Sequence, residues 1–369
     1  MLKNLIQIKS TSGGEADIQK YIFDYLSALH LNPIYIGGNV VAKIIGKSSK
    51  IALIFNAHVD TVPPGDLSKW KHDPYVVTIY KGKIYGLGAS DEKATVEIQL
   101  QLAKYFSSQM PGCDIWLTFV EGEETDGHGT KLFLDWFSEK YMDSYNQTSA
   151  ILGEPTGLKK IEIAHKGNLF LSVTTFGKSG HGSAPHKPSE NAVLNMYEVI
   201  NNLTSLSKSW QYKYINKVLG YPSIALATSI IAGDPKVPNK YPDSCTATFD
   251  VRTVPEMNDR ALSEIKSIVK MKDVEFKCLY QPIGCGYTDK NSEVVKILAS
   301  VTNASVSPSE SSNDMCFFTE KKIPAVVFGP GEPEVMHKAN EYCKIVNINK
   351  CLKVYKEVIN KYALANKSP

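Results

Sequence analysis

The sequence predicts a mixed-sheet α/β domain interrupted by a smaller, inserted α+β domain. Three observations carry this reading. The chain has 369 residues, more than one hydrophobic core usually supports. Short apolar runs repeatedly end in polar, Gly/Pro-rich loops that hold carboxylates, which is how α/β folds place chemistry at the carboxyl end of a sheet. Near Ile161 the pattern changes to alternating strands and a long helical stretch, and after Gln281 it returns to strand–helix units.

In chain order, Leu2, Leu5, Ile6 and Ile8 share one side of an opening segment, and a Ser/Thr/Gly break follows. Residues 15–29 place Ile18, Ile22, Leu26 and Leu29 at helical spacing. Strands are expected at 39–45 and 51–55, the second running into NAHVDTVPPG. Residues 83–85 lead to GLGASDEK and a helix over 94–106, and 115–120 lead to EGEETDGHGT and a helix over 131–137. Residues 150–152 lead to GEPTG. In the inserted part, 169–175 alternate like a strand with a solvated face, a helix over 191–206 follows GKSGHGSAPHKPSE, and strands at 223–231 and 245–251 precede a helix over 259–270. The last part reads as helix 292–302, strand 325–328, the loop GPGEPEVMHKANEY and helix 348–362. The boundaries this implies are 1–163 and 280–369 for the main domain and 164–279 for the insertion.

Composition narrows the function. Hydrophobic residues make up 43% and charged residues 21%, the balance of a packed globule. A net charge of +3 gives no bulk attraction to nucleic acid or membrane, and neither partner is expected. The N-terminal stretch lacks the apolar core of a signal peptide, and no stretch is apolar enough to span a bilayer. The seven cysteines form no CxxC and read as reduced thiols of a cytoplasmic protein. Any metal ligands should therefore be His and carboxylate.

His58 and Asp60 lie two apart just past a buried run, so on an extended chain both project to one side, and Asp60 could hold one ring nitrogen while the other meets a metal. Alone, the pair reads more readily as a satisfied loop histidine. Asp91 follows glycines at a sharp turn and reads also as a helix N-cap; GxGxxD lacks the lysine and hydroxyl of a phosphate loop. Glu123 and Glu124 are adjacent, so their side chains diverge, and with Glu121 they would repel one another without a cation. A solvated acidic loop is the alternative. Glu154 lies in GEPTG and His337 after GPG. Two isolated histidines and several carboxylates at strand ends make up the donor inventory of a two-metal hydrolytic centre. No GxSxG and no cysteine signature offers a nucleophile instead.

HVDTVPPG at His58, GLGASDEK at Asp91, the Glu123–Glu124 pair, GEPTG at Glu154, AHKG at His165, GHGSAPH at His181, DVRTVPEM at Arg252 and GPG…MH at His337 follow one another in register along nearly the whole chain. In this the sequence resembles the acetylornithine deacetylase/succinyl-diaminopimelate desuccinylase family of zinc-dependent metallopeptidases and aminoacylases. The resemblance implies a di-zinc aminopeptidase-like catalytic domain with an inserted lid and dimerisation domain. It implies that His58, Asp91 and Glu154 bind one divalent metal and Asp91, Glu124 and His337 a second, with Asp91 bridging; zinc is expected, with cobalt as a substitute. Asp60 would orient His58, and Glu123 would be the general base. His181 would stabilise the oxyanion, in its own site or that of a partner in a homodimer. Asn239 and Arg252 would bind substrate, the guanidinium suiting a free α-carboxylate. Gly329 and Gly331 would let backbone approach the substrate.

Two departures stand out. SSNDMCFF from Ser311 replaces a GGT-type stretch, and Glu92 stands where methionine is common. GEPT and AHKG resemble the deacetylase, whereas PPGD and HKANEY resemble the desuccinylase. The expected activity is metal-dependent hydrolysis of an N-acyl amino acid amide. The alternatives are a di- or tripeptidase or carboxypeptidase with the same chemistry, and a non-catalytic binding relative.

Overall fold

Strand Ser48–His58 is buried without a break from Ile51 to His58, because both faces of its sheet are covered. Ile51, Leu53, Phe55 and Ala57 enter the core on one side, and Ala52 and Ile54 that on the other. A strand covered in this way reads as a continuous apolar run rather than an alternating one. The computed structural model describes residues 1–184, 187–257 and 259–365. The chain divides into two compact units, the first made of Met1–His165, Gly286–Ser309 and the segment from Asn313 on, the second of Lys166–Cys285 with residues 310–312.

The first unit is built on an eight-stranded mixed sheet in the order Ile34–Ile36, Asn39–Ile44, Cys113–Val120, Ser48–His58, Gln147–Leu152, Ala325–Val327, Lys160–Glu162, Ser305–Ser307. Cys113–Val120, Ser48–His58, Gln147–Leu152 and Ala325–Val327 run parallel. Their register pairs His58 with Val120, Asn56 with Leu152, and Leu152 with Val327. The loops after these strands, which hold Asp60, Glu123, Glu154 and Gly329, therefore leave the sheet together at the strands' carboxyl ends. Helices Leu2–Gln7, Ala16–Ala28, Lys93–Phe106, Glu293–Val301 and Ile345–Ala365 pack on one face, and His128–Lys140 with Met315–Glu320 on the other. Leu53, Phe55, Phe119 and Phe328 are fully buried, and each contributes roughly 1.5–3 kcal/mol over an exposed position. The loop bases are thereby fixed.

Residues 83–85 behave differently from expectation. They form a strand, but only half-buried, and it pairs with Thr78–Tyr80 and Tyr342–Lys344 in a separate three-stranded sheet. Three residues with no fully buried face have too little apolar surface to compete for the central sheet. The GLGASDEK loop consequently reaches the site from the side. Its helix begins at Lys93, whose buried ammonium donates to the carbonyls of Leu5 and Ile8 at 3.0 and 2.8 Å and satisfies the end of the first helix.

In the second unit, strands Gly167–Phe176 and Ser244–Thr253 alternate buried and half-buried residues, the mark of a sheet with one covered face. They form the centre of a four-stranded antiparallel sheet flanked by Ser223–Ala232 and Val274–Cys278. Helix Ala192–Lys213 is capped by Asn191, whose side chain accepts from the N–H groups of Val193 and Leu194. It buries Met196, Val199, Leu203 and Trp210, and the Trp210 indole donates to Glu264 of helix Arg260–Ile268 at 2.7 Å.

Candidate metal centre

His58 ends its strand 1% exposed. Its Nδ1 lies 3.0 Å from the Asp60 carbonyl and 3.4 Å from that residue's Oδ1. A proton on Nδ1 is satisfied there, which leaves the Nε2 lone pair free for a cation. Nε2 faces Asp91 Oδ1 at 3.0 Å and Glu154 Oε1 at 3.7 Å. On the other side, His337 Nε2 lies 3.3 Å from Asp91 Oδ2 and 2.9 Å from Glu124 Oε2. The two oxygens of Asp91 thus face two different histidines.

Donors bound at about 2.0 Å around a tetrahedral cation lie about 3.3 Å apart, and the observed separations scatter about that value. Ligand-capable atoms of His58, Asp91 and Glu124, and of His58, Glu123 and Glu154, each fall within 4.8 Å of one another. The donor set of imidazole and carboxylate suits zinc or another first-row divalent ion. The charges point the same way. Burial, with neighbouring carboxylates, holds Glu123 and Glu154 well above the usual carboxylate range and raises Glu124 as well. Burial opposes charge on His58, but Asp60 and Asp91 outweigh it and raise its pKa. His337 is raised to about 10 by Asp91 and Glu124. So many acids around two imidazoles call for a cation.

Asp60 does more than meet His58. Its carboxylate accepts the backbone N–H groups of Glu123 and Glu124 at 3.2 and 3.1 Å and the Ser12 hydroxyl at 2.8 Å. One buried carboxylate therefore orients a histidine and fixes the acidic pair. Gly329 and Gly331 approach protein backbone closely. A Cβ on Gly329 would run into the carbonyls of Gly153 and Glu154, and one on Gly331 into that of Ser90. The glycines thereby let the loops of Glu154 and Asp91 pack against the GPG turn.

His181, Asn239 and Arg252 all belong to the second unit. His181 lies in the short strand Gly180–His181, paired with Lys240–Tyr241. It is exposed, with Ser183 Oγ 2.7 Å from Nδ1 and Asn239 Nδ2 3.3 Å from Nε2. Arg252 spends its fork on Asp250 at 2.8 and 2.9 Å and reaches Ser312 Oγ at 3.2 Å.

Glu92, Asp314 and Glu341 are buried acids near these groups that the sequence did not single out as site residues. Glu92 accepts the His58 N–H at 2.6 Å, and burial raises it to about 8. Asp314, in SSNDMCFF, accepts from Thr130 Oγ1 at 2.5 Å. Glu341 lies beneath the Asp91 loop, and burial raises it to about 8 against the pull of backbone donors. The available signal was a charged residue next to an apolar run or a ligand motif, a weak cue in each case.

Comparison with known proteins fits this arrangement. Residues 54–361 match the model of "Peptidase family M20/M25/M40". A Staphylococcus aureus protein named "Probable succinyl-diaminopimelate desuccinylase" is 28% identical over 94% of each chain. An acetylornithine deacetylase of Buchnera aphidicola is 28% identical over 84% of this chain and 80% of its own. Among solved structures, a tripeptidase from Staphylococcus aureus superposes with a TM-score of 0.77 at 21% identity, covering 98% of this chain and 97% of its own. An M20 metallo-carboxypeptidase from Sulfolobus solfataricus gives 0.77 at 20% identity over 98% of each chain. These neighbours share the mixed α/β fold. With the matched family model spanning most of the sequence, the chain belongs to peptidase family M20/M25/M40, the metal-dependent hydrolases of amide bonds.

Proposed function

We propose that this chain is a two-metal amidohydrolase that removes the acyl group from an N-acyl amino acid. The observation that carries the reading is the Asp91 carboxylate, one oxygen 3.0 Å from His58 and the other 3.3 Å from His337. On this reading His58, Asp91 and Glu154 hold one divalent cation and Asp91, Glu124 and His337 the other, zinc being the first choice and cobalt a substitute. Bound there, the cations supply Lewis acidity that polarises the scissile carbonyl and makes water a better nucleophile at neutral pH. Glu123 takes the proton of the attacking water and passes it to the leaving nitrogen. His181 donates to the developing oxyanion, in its own site or that of a partner, and Asn239, Arg252 and the Gly329–Gly331 turn hold the substrate.

We further propose a cytoplasmic homodimer with the insertion at 164–279 as lid and dimerisation domain. Ile230 and Ile231 are 52% and 71% exposed on the edge strand Ser223–Ala232, and a sheet edge of that kind invites pairing. The described cysteines are all free. Among the described residues no helix is long and apolar enough to cross a membrane. The likeness to a tripeptidase and a carboxypeptidase favours a second reading, an exopeptidase with the same chemistry.

Protein loaded with zinc or cobalt, assayed against N-acetyl and N-succinyl amino acids and against di- and tripeptides, separates the two. Preference for N-acyl amino acids supports the deacylase. Turnover of peptides alone supports the exopeptidase, and no turnover of either removes both.

A further inference from the structure

Glu341 is 1% exposed, and its two carboxylate oxygens together accept three backbone N–H groups of one loop. Oε1 takes those of Ser90 and Asp91 at 2.6 and 3.0 Å, and Oε2 takes that of Gly88 at 3.0 Å. Strand pairing puts it there. Tyr342 pairs with Tyr85, and the N–H of Gly86 donates to the Glu341 carbonyl at 3.1 Å, so the side chain lies under the next turn. Carboxylate–amide bonds of this kind are short and roughly twice as strong as neutral ones. They fix the backbone directly at the residue whose carboxylate faces both histidines. The same segment supplies His337 four residues earlier.

We propose that Glu341 is the positioning residue for Asp91. It holds the Gly88–Asp91 backbone so that the two Asp91 oxygens diverge, each toward its own cation site. This rests on the two-cation reading above. It has a consequence that a general role in stability lacks. Asp91 serves both sites, so losing Glu341 weakens both, whereas losing His337 weakens only one. Removing the partner that orients a ligand typically costs about 10- to 100-fold in metal affinity.

Glu341→Gln keeps the size and one acceptor oxygen but turns an amide NH2 toward a backbone N–H. Metal-free wild type, Glu341→Gln and His337→Ala are titrated with zinc alone by equilibrium dialysis, and folding of each metal-free protein is followed by circular dichroism. The expected result is two ions weakened about 10- to 100-fold in Glu341→Gln, whose metal-free form still folds but with a lowered midpoint, and one ion weakened in His337→Ala. Wild-type affinity in Glu341→Gln, or loss of a single ion there, overturns the proposal. If Glu341→Gln does not fold, Glu341→Asp, which keeps the charge one methylene short, takes its place. If neither folds, Glu341 is a fold determinant and the proposal is lost. Wild type that saturates at one ion defeats the two-cation reading separately, and Glu341→Gln must still weaken that ion.

Discussion

His58 ends a strand buried on both faces and meets Asp60, Asp91 and Glu154, whereas His181 lies exposed in a short two-stranded pairing with Ser183 and Asn239 beside it. The first histidine has its geometry set by the fold: strand register, a buried carboxylate on one nitrogen, ligand atoms on the other. The second is held, among the described residues, by the hydroxyl and backbone N–H of Ser183 and the Asn239 amide. Damage near His58 should therefore appear in metal content and stability as well as rate. Damage at His181 should appear in rate alone.

Metal removal probes the buried side of this contrast most severely. Stripping the protein with a chelator should take hydrolysis to background and lower the unfolding midpoint, and zinc or cobalt should restore both. An ion held at 100 times its dissociation constant adds about 2.7 kcal/mol to stability. Chelated protein that keeps its activity and midpoint would break the comparison at its base.

Glu123→Gln separates chemistry from metal binding within the same loop. The amide fills the same space but cannot accept a proton, so turnover should fall about 10²- to 10⁴-fold while both ions stay. Loss of an ion from Glu123→Gln, with Glu124→Gln losing only rate, would exchange the roles assigned to the pair.

His181→Ala tests the exposed side. Removing one oxyanion donor costs on the order of 100-fold in turnover, and with Ser183 and Asn239 as its nearest polar partners the change should leave metal content and unfolding midpoint as they were. A variant with full turnover ends the oxyanion role, and one that sheds metal shows that the two regions are not separable.

The sequence carried the strand-end acids because each follows an apolar run that has to be buried, and burial at a strand's carboxyl end dictates where Glu123 and Glu154 emerge. Residues 83–85 were legible as a strand but not as part of a side sheet, since pairing depends on Tyr342–Lys344, distant along the chain. Glu341 escaped for the same reason. Its function lies in three backbone bonds across that pairing, which no local pattern encodes. The short helix Met315–Glu320 was missed because SSNDMCFF has too few residues to show a helical period.

The smallest effect concerns Asp314, which joins the buried side without facing the proposed cations in the way Glu123 and Glu124 do. It is 4% exposed and ends a buried chain in which Thr118 Oγ1 donates to Asn56 Oδ1, Asn56 Nδ2 to Thr130 Oγ1, and Thr130 Oγ1 to Asp314 Oδ2 at 2.5 Å. Burial raises its pKa from 3.8 to about 7. Between those values the folded protein keeps a proton that the unfolded chain has released. Stability contributed by this group is therefore fully present below the lower value and falls as pH rises through the window, by at most about 1.4 kcal/mol per pH unit. Asp314→Asn keeps a carbonyl for Thr130 but does not titrate. In metal-free protein unfolded with urea from pH 5 to 8, the variant should lose less stability with rising pH than wild type up to about pH 7, and the two curves should run parallel above it. Equal slopes throughout would mean that Asp314 is already ionised in the folded state, and that the acid-rich interior extends no further than the residues facing the two histidines.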